Sequence, residues 1–123
     1  MSVKYSEDHA WVKVQDEDLV TIGITDFAQE QLGDLVYIEL PKGGHECSRG
    51  DNISVIESVK SASDLVAPVS GEIVEVNDKL EDDPELVSED SMGEGWFITV
   101  KLSKRPELDE LMDDESYKTF IEY

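Results

Sequence analysis

The sequence predicts a mainly β protein, a small barrel or sandwich with helical decoration. Short runs of β-branched and aliphatic residues alternate with turns that contain glycine or proline, a pattern typical of small all-β architectures. Only two segments carry a helical pattern, a short internal one and one at the carboxyl-terminal end. A chain of 123 residues is long enough for one hydrophobic core, so we expect a single domain over residues 1–123.

The first predicted element is a β hairpin. Residues 10–14 and 19–24 carry strand-like apolar patterns, and the polar segment 15–18 separates them. Two such runs that are joined by a short polar turn favour an antiparallel pair of strands.

A short helix is predicted directly after this hairpin. Thr25 or Asp26 can cap its first turn. Gly33 can end it, because glycine adopts the left-handed backbone that follows many helices. At helical spacing, one face of this helix would be buried, and that face carries Phe27, Ala28 and Leu32.

The later strands are predicted from apolar runs that stop at glycine, proline or acidic residues. They cover 35–40, 52–57, 64–67, 72–76 and 96–102, with a Pro-Val-Ser-Gly turn at 68–71. The acidic segment 78–94 is predicted to be a loop whose carboxylates are solvated.

The chain is expected to be helical from Pro106 onward. Two apolar stripes are expected to pack this part against the barrel. They consist of Leu108, Leu111 and Met112 on one side and of Tyr117, Phe120 and Ile121 on the other.

A faint internal repeat relates residues 33–38 to residues 71–76. Both segments begin with glycine and an acidic residue and continue with apolar residues, a pattern short enough to arise by coincidence. If the repeat is structural, two similar β units face each other about a pseudo-two-fold axis. The hairpin between equivalent strands would then project from one end of the molecule, and Lys60 lies between the two units.

The composition is strongly acidic. Thirty acidic against ten basic residues give a formal net charge of −20. Such a field repels nucleic-acid phosphates and anionic membrane surfaces, and it favours partners with basic docking faces. Self-repulsion also predicts that moderate salt stabilises the fold. Adaptation to a salt-rich cytosol is an alternative explanation of the same composition.

The sequence carries one cysteine, Cys47, so no intramolecular disulfide can form. The amino-terminal residues have neither an apolar signal region nor an arginine-rich leader, and no apolar run is long enough to span a bilayer. We therefore expect a cytoplasmic bacterial or archaeal protein, or a mitochondrial matrix protein if the chain is a processed eukaryotic one. No metal site is expected, because His45 and Cys47 lack a supporting cluster.

Lys60 is the candidate functional residue. It is the only basic side chain between Arg49 and Lys79, and it lies between two strand-like arms with several carboxylates nearby. A lone lysine at a hairpin tip is what an enzyme needs if it must find and acylate one amine. This predicts an attachment point for a mobile cofactor, although an ordinary solvated lysine in a turn would give the same local pattern.

Several short motifs follow one another along nearly the whole chain. They are Lys4-Tyr5-Ser6, His9-x-Trp11-Val12, the segment 22–33, Glu57-Ser58-Val59-Lys60, the segment 67–77, Pro84-Glu85-Leu86-Val87 and Gly95-Trp96. Together they resemble the glycine cleavage H-protein family. Each motif alone is weak, whereas their order and spacing together are specific. The triplet Val59-Lys60-Ser61 also differs from the Met-Lys-Met of biotin carriers and from the Asp-Lys-Ala of 2-oxoacid dehydrogenase lipoyl domains.

The resemblance implies a barrel-sandwich hybrid of the lipoyl/biotinyl type, with lipoate attached to Lys60 as an amide. By the same resemblance, hairpin and arm contacts come from Glu57, Ser58, Val59, Ser61 and Asp64. A cleft for the arm would be lined by Ile24, Phe27, Ala28 and Leu32. Simple packing of a short helix explains Phe27 and Leu32 equally well.

The function implied by the resemblance is that of a lipoyl carrier in glycine cleavage, not an enzyme. Such a carrier takes the aminomethyl group of glycine from a pyridoxal-phosphate glycine decarboxylase to a folate-dependent aminomethyltransferase, and dihydrolipoamide dehydrogenase reoxidises it. A lipoate ligase or octanoyltransferase would modify it, and a monomer is expected. Two alternatives remain open: a related protein that relays lipoyl groups to other apoproteins, and an unmodified acidic interaction module.

The sequence departs from the family pattern at the amino-terminal motif. The family has there a glutamate that helps to contact the amino group on the loaded arm, and this chain has Ala10. Either Asp64 takes the whole task, or Glu7 or Asp8 substitutes. The loop 88–93 also differs from the usual pattern.

Three aromatic or imidazole side chains invite a functional interpretation. His9 precedes Trp11 closely, which favours a structural hydrogen bond over a catalytic role. Trp11 and Trp96 are expected to anchor the core and not to stack on a ligand.

Overall fold

The computed structural model describes residues 3–16 and 18–121. Its strands are β1 (Val3–Tyr5), β2 (Ala10–Val14), β3 (Leu19–Ile24), β4 (Leu35–Glu39), β5 (Glu46–Cys47), β6 (Asn52–Ser58), β7 (Ala62–Val66), β8 (Gly71–Val76) and β9 (Ile98–Leu102). Its α-helices are α1 (Asp26–Leu32), α2 (Lys79–Asp82), α3 (Glu85–Asp90) and α4 (Asp114–Ile121), and a 3₁₀ helix spans Arg105–Glu110. The predicted mainly β class is confirmed.

The strands form two antiparallel sheets. One has six strands in the order β1-β2-β3-β9-β8-β5, and the other has three in the order β4-β6-β7. Both sheets contribute fully buried isoleucines to one core, among them Ile22 and Ile73 from the larger sheet and Ile38 and Ile56 from the smaller. Burial of this apolar surface between the layers is the main stabilising term.

The predicted amino-terminal hairpin is confirmed. β2 and β3 pair from Ala10 opposite Ile24 to Val14 opposite Val20. Glu17 of the predicted turn lies outside the described residues. Trp11 is buried beside Gly23, where an added Cβ would lie only 2.7 Å from the indole ring, so the sheet needs glycine at that position.

Helix α1 begins and ends where the sequence predicts. The Thr25 hydroxyl accepts a hydrogen bond from the Ala28 amide at 3.2 Å, and Gly33 follows the last turn with φ of 81°. The prediction that one face of α1 is buried was only partly correct, because no residue of α1 is fully buried. Ala28 and Leu32 pack half-exposed against the main core, which leaves this face available to line a groove.

The prediction that the acidic segment 78–94 forms a loop was wrong. The segment forms α2 and α3, whose carboxylates are exposed while Leu80 and Val87 are fully buried. These two apolar anchors are enough to hold two short helices on the sheet, and both helices contact β4. The many acidic residues concealed the anchors in the sequence.

The carboxyl-terminal part is helical as predicted, with one interruption. Met112 leaves the helical path and exchanges two backbone hydrogen bonds of 2.8 Å with Tyr5 of β1. The first predicted stripe is therefore wrong for Met112, which packs with Tyr5, Trp11 and Tyr117 in a second cluster. Leu108 and Leu111 pack against the main core, as expected.

Two short strands, β1 and β5, were not predicted, and β9 begins two residues later than expected. The two copies of the internal repeat fall on β4 and β8, one in each sheet, as two facing β units require. Within the described ranges, no helix is both long and apolar enough to cross a lipid bilayer.

Candidate functional site

Lys60 lies in the turn between β6 and β7 and is exposed. Its side chain runs alongside Gly33, where an added Cβ would lie 3.5 Å from Lys60 Cε and 3.8 Å from Nζ. Among residues 3–16 and 18–121, no carboxylate lies within 4.0 Å of Nζ as an ion-pair partner. The amine is therefore neither buried nor held in a salt bridge.

Ser58 organises the turn that carries Lys60. Its hydroxyl oxygen accepts hydrogen bonds from the amides of Lys60 at 3.2 Å and Ser61 at 3.1 Å, and the hydroxyl donates to the Ser61 carbonyl at 3.0 Å. The Ser58 amide donates to the same carbonyl at 2.8 Å. A serine is suited to this place because one hydroxyl can be donor and acceptor together.

The turn is also fixed to the body of the protein. The Val59 amide donates a hydrogen bond of 3.0 Å to the carbonyl of Asp34, directly after α1. The Val59 side chain itself is 65% exposed. The backbone of the tip is thus tied to the end of α1, while the side chains of Glu57, Val59, Lys60 and Ser61 face solvent.

A groove of about 270 Å³ lies between α1 and the small sheet. Its apolar wall consists of Ile24, Phe27, Ala28, Leu32 and Ile56. Its polar side chains are Asp8, His9, Gln31, Ser63 and Asp64. The structure therefore brings together the four residues predicted for an arm cleft and places Asp64 beside them. Glu57, Ser58, Val59 and Ser61 lie at the hairpin tip and do not line the groove.

The groove is negative in character. It has two exposed aspartates, and none of the described residues that line it is a lysine or an arginine. Burial lowers the pKa of His9 below its ordinary value of 6.5, and the nearby Asp8 charge opposes this effect. The imidazole is thus mostly neutral at neutral pH and does not offset the aspartates.

The predicted structural hydrogen bond of His9 is confirmed. Its Nδ1 lies 2.8 Å from the hydroxyl oxygen of Tyr117, which in turn lies 2.7 Å from Thr25 Oγ1. The His9 carbonyl accepts from the Thr25 amide at 3.0 Å. With φ of 68°, His9 has a left-handed backbone, and its ring also packs 4.9 Å from Phe27. The histidine therefore joins α4, the cap of α1 and the groove.

Both tryptophans pack in the second cluster. The Trp11 indole donates a hydrogen bond of 2.9 Å to the carbonyl of Ser91, and this side chain is 1% exposed, which confirms a core anchor. Trp96 is half-buried and packs against the cluster formed by Tyr5, Trp11 and Tyr117.

Sequence reasoning missed three groove residues, Gln31, Ile56 and Ser63. Ile56 and Ser63 face each other across the β6–β7 ladder, so pairing of the two predicted arms would have found them. Gln31 lies one position before Leu32, and only the rotation of α1 decides that it reaches the groove.

His45 and Cys47 line a different surface cavity, together with Asp51. Cys47 is 6% exposed, and burial raises the pKa of its thiol. In the described part of the chain, no three histidine, cysteine or carboxylate side chains are grouped as a metal ion requires.

A two-sheet β scaffold that holds one exposed lysine at a fixed hairpin tip, beside a groove, defines a carrier protein of the barrel-sandwich type. Residues 3–123 match the family model described as "Glycine cleavage H-protein". The chain belongs to the glycine cleavage H-protein family.

Relatives and a solved structure agree with this assignment. The chain is 55% identical over 117 residues to the glycine cleavage system H protein of Rhodospirillum rubrum, covering 95% of this chain and 93% of the relative. It is 49% identical over 117 residues to that of Thermotoga maritima, covering 95% and 94%. The crystal structure of a glycine cleavage system H protein from Mycobacterium marinum superposes with a TM-score of 0.91 at 37% identity, covering 99% of this chain and 98% of that one.

The family assignment fixes the general role. The chain is a lipoyl carrier component of the glycine cleavage system and works with its other components; it is not itself a catalyst. The likeness to the solved structure also confirms the predicted fold class.

Proposed function

We propose that lipoate is attached to Lys60 as an amide and that the chain carries the aminomethyl group of glycine between enzymes. The donor is a pyridoxal-phosphate glycine decarboxylase, the acceptor is a folate-dependent aminomethyltransferase, and dihydrolipoamide dehydrogenase restores the oxidised carrier. A lipoate ligase or octanoyltransferase attaches the group. The observation that carries this proposal is the exposed Lys60 amine at a turn fixed by Ser58 and by Val59.

The residues at the tip fit an acylated lysine. Amide formation removes the positive charge of Lys60, and no described ion pair is broken by this loss. Lipoate supplies a dithiolane, whose sulfurs take up the transferred group, at the end of a flexible chain. The protein supplies the location of the amine and the surface around it.

The groove lies within reach of the tip. Asp64 follows Lys60 by four positions, so the two backbones are at most roughly 13 Å apart at strand rise. A lysine side chain that bears a lipoyl group has about a dozen bonds of about 1.5 Å each. The Lys60 side chain already lies against Gly33, and the preceding Leu32 lines the groove.

The groove can shield the carried group from water. Ile24, Phe27 and Leu32 provide an apolar wall along which a hydrocarbon chain can lie. Asp64 supplies a carboxylate that can pair with a carried ammonium group. Exclusion of water in this way protects a hydrolysable cargo between encounters.

The charge of the protein suits repeated, short encounters. A net charge of −20 speeds association with basic docking faces without a wide apolar interface. Each complex should therefore be weak and sensitive to salt. We further propose that the chain acts as one domain and as a monomer. The bacterial origin of similar proteins supports a location in the cytoplasm.

Mass spectrometry of the protein from its native host tests the attachment site. A lipoyl mass increment is expected on the tryptic peptide that contains Lys60. The variant Lys60→Arg should lose both the increment and glycine-dependent carbon dioxide exchange, with an unchanged melting temperature. The control Lys79→Arg alters another exposed lysine and should retain both. Exchange activity in Lys60→Arg without any other lipoylated lysine would refute the proposal.

A further inference from the structure

We propose that Gly33 is a positioning residue for the arm carried by Lys60. Its missing side chain leaves a path for the lysine stem, and this path sets how often the arm lies along α1 and how often it extends to an enzyme. The inference rests on the proposed attachment of lipoate to Lys60. It deepens that function by naming a residue that does not line the groove and yet directs the arm.

Gly33 faces Lys60 because of the pairing between β4 and β6. The ladder ends where Leu35 lies opposite Ser58. The next residue of each segment is joined by the amide-to-carbonyl hydrogen bond of 3.0 Å that fixes the tip. The same register, continued by one more position, places Gly33 beside Lys60. Facing residues of antiparallel segments direct their side chains to the same face, so a side chain at position 33 would lie next to the lysine stem.

The Lys60 stem uses the space that Gly33 leaves. An added Cβ at position 33 would lie 3.5 Å from Lys60 Cε and 3.9 Å from Cδ, which is ordinary van der Waals contact. A methyl group would therefore only touch the stem, whereas atoms beyond Cβ would compete with it for the same space. The preceding Leu32 lines the groove, so this path leads from the tip toward the apolar wall.

The backbone of Gly33 holds this path in place. Its φ of 81° and ψ of −147° lie close to a region that is essentially confined to glycine. The Gly33 amide donates to the Gln29 carbonyl at 3.0 Å, and the Gly33 carbonyl accepts from Gln29 Nε2 at 3.4 Å. Two hydrogen bonds to one residue of α1 restrict rotation at Gly33, so the end of the helix and the lysine tip keep one relative orientation.

This arrangement favours docking of the arm. A stem that already lies along α1 lowers the entropic cost of docking, because fewer bonds remain to be ordered. A longer side chain at position 33 would turn the stem toward solvent and lower the fraction of time that the arm spends in the groove. The carried group would then meet water more often, although no residue that lines the groove has changed.

The first experiment uses the lipoate-free protein and needs no variant. Nuclear Overhauser effects are measured by NMR from the ε-methylene protons of Lys60 to the α protons of Gly33. We expect an effect between these protons. The α protons of Gly50 serve as the reference and should show none, because Gly50 precedes β6 and Lys60 follows it. Absence of the effect between Lys60 and Gly33 would overturn the proposal.

The second experiment measures the lifetime of the loaded carrier after it has been separated from its partners. It compares Gly33→Ala with Gly33→Gln. Both variants place a Cβ on the same positive-φ backbone and should melt at the same temperature, but only glutamine has atoms that compete with the stem. We expect the lifetime of Gly33→Gln to be about 3-fold shorter than that of Gly33→Ala. Equal lifetimes would overturn the proposal.

A kinetic measurement separates positioning from general damage. An arm that is docked less should be more available, so Gly33→Gln should lower the KM of dihydrolipoamide dehydrogenase for the reduced carrier relative to Gly33→Ala, with kcat unchanged. An unchanged or higher KM would overturn the role of Gly33.

Gly50→Ala is the control for backbone strain away from the tip. Gly50 has φ of 97°, and an added Cβ there would meet no atom of the described residues within 4 Å. Its lifetime should equal that of the wild type, and a loss as large as that of Gly33→Gln would overturn the proposal. Absence of any modification at Lys60 would overturn the proposed function and the role of Gly33 with it, even where the first experiment shows the expected contact.

Discussion

The imidazole Nδ1 of His9 and the hydroxyl oxygen of Tyr117 lie 2.8 Å apart, although 108 positions separate the two residues. The same hydroxyl lies 2.7 Å from Thr25 Oγ1, which caps α1. One phenol thus connects the carboxyl-terminal helix to the loop and the helix that border the groove. The order of the groove depends on α4, which contributes no lining residue to it.

Tyr117→Phe should lower the free energy of unfolding by about 1–2 kcal/mol, because it leaves the buried hydroxyl of Thr25 and the half-buried imidazole of His9 without this partner. Urea unfolding measures the change. The control Tyr5→Phe removes a hydrogen bond of 3.3 Å to the exposed Asp114, so its cost should be smaller. The rings of Tyr5 and Tyr117 stack at 4.6 Å, and both variants keep that contact. A larger loss for Tyr5→Phe would contradict the connecting role of Tyr117.

The stability of the protein should depend on the protonation of His9. Burial lowers the pKa of the folded state below the ordinary value of 6.5, so the unfolded chain binds the proton more tightly. The stabilising contribution of neutral His9 is therefore fully present above pH 6.5 and is lost as the pH falls from there through the pKa of the folded state.

The test compares the wild type with His9→Asn, since asparagine tolerates the left-handed backbone and does not titrate. Between about pH 7.5 and about pH 5.5, the wild type should lose more stability than the variant. Equal losses would show that the carboxylates alone determine this part of the pH profile.

Ser58→Ala should loosen the tip without affecting the core. The variant removes three hydrogen bonds of the turn, so the amides of Lys60 and Ser61 should exchange with solvent about 5-fold faster or more. Hydrogen exchange by NMR measures this effect. Ser61→Ala is the matched control, because the Ser61 hydroxyl makes no hydrogen bond to any residue that the structure describes. Slow exchange in Ser58→Ala would mean that the Val59 contact alone holds the turn.

Added salt should stabilise the protein. The net charge is −20, while the ion pairs in the described ranges are exposed and contribute little, namely Arg49–Glu110, Arg105–Asp18 and Lys118–Asp114. Raising sodium chloride from about 0.01 M to about 0.15 M shortens the screening length from roughly 30 to roughly 8 Å. Calorimetry should then show a melting temperature higher by about 4 °C, equivalent to about 1 kcal/mol. A decrease would show that attractive pairs outweigh the repulsion.

Local rules were sufficient for the elements with strong patterns. The alternation in β2 and β3 and the cap and stop signals at Thr25 and Gly33 predicted a hairpin and a helix that the structure confirms. They failed where tertiary contacts decide. The strand β5 has two residues and exists because it pairs with β8, and α2 is anchored by a single buried side chain, Leu80.

For the site, too, a local pattern was enough for one residue, while the tertiary structure decided the others. Lys60 stood out in the sequence because it is isolated among carboxylates. The sequence does not show which acidic residue of the loop before His9 borders the groove. The structure places Asp8 there and not Glu7, because the direction of each side chain depends on the loop that ends at His9. Histidine is enriched among the uncommon non-glycine residues with positive φ, but this preference is too weak to locate the left-handed backbone of His9 from the sequence.

The hydrogen bond between the Val59 amide and the Asp34 carbonyl fixes the backbone from which the Lys60 side chain extends. A group attached to the amine would move around this fixed point by rotation about its own single bonds. If the proposed group is attached there, its passage from the groove to an external enzyme would need no bending of the scaffold. The rotations of an exposed side chain take picoseconds to nanoseconds, whereas hinged domains move in microseconds to milliseconds.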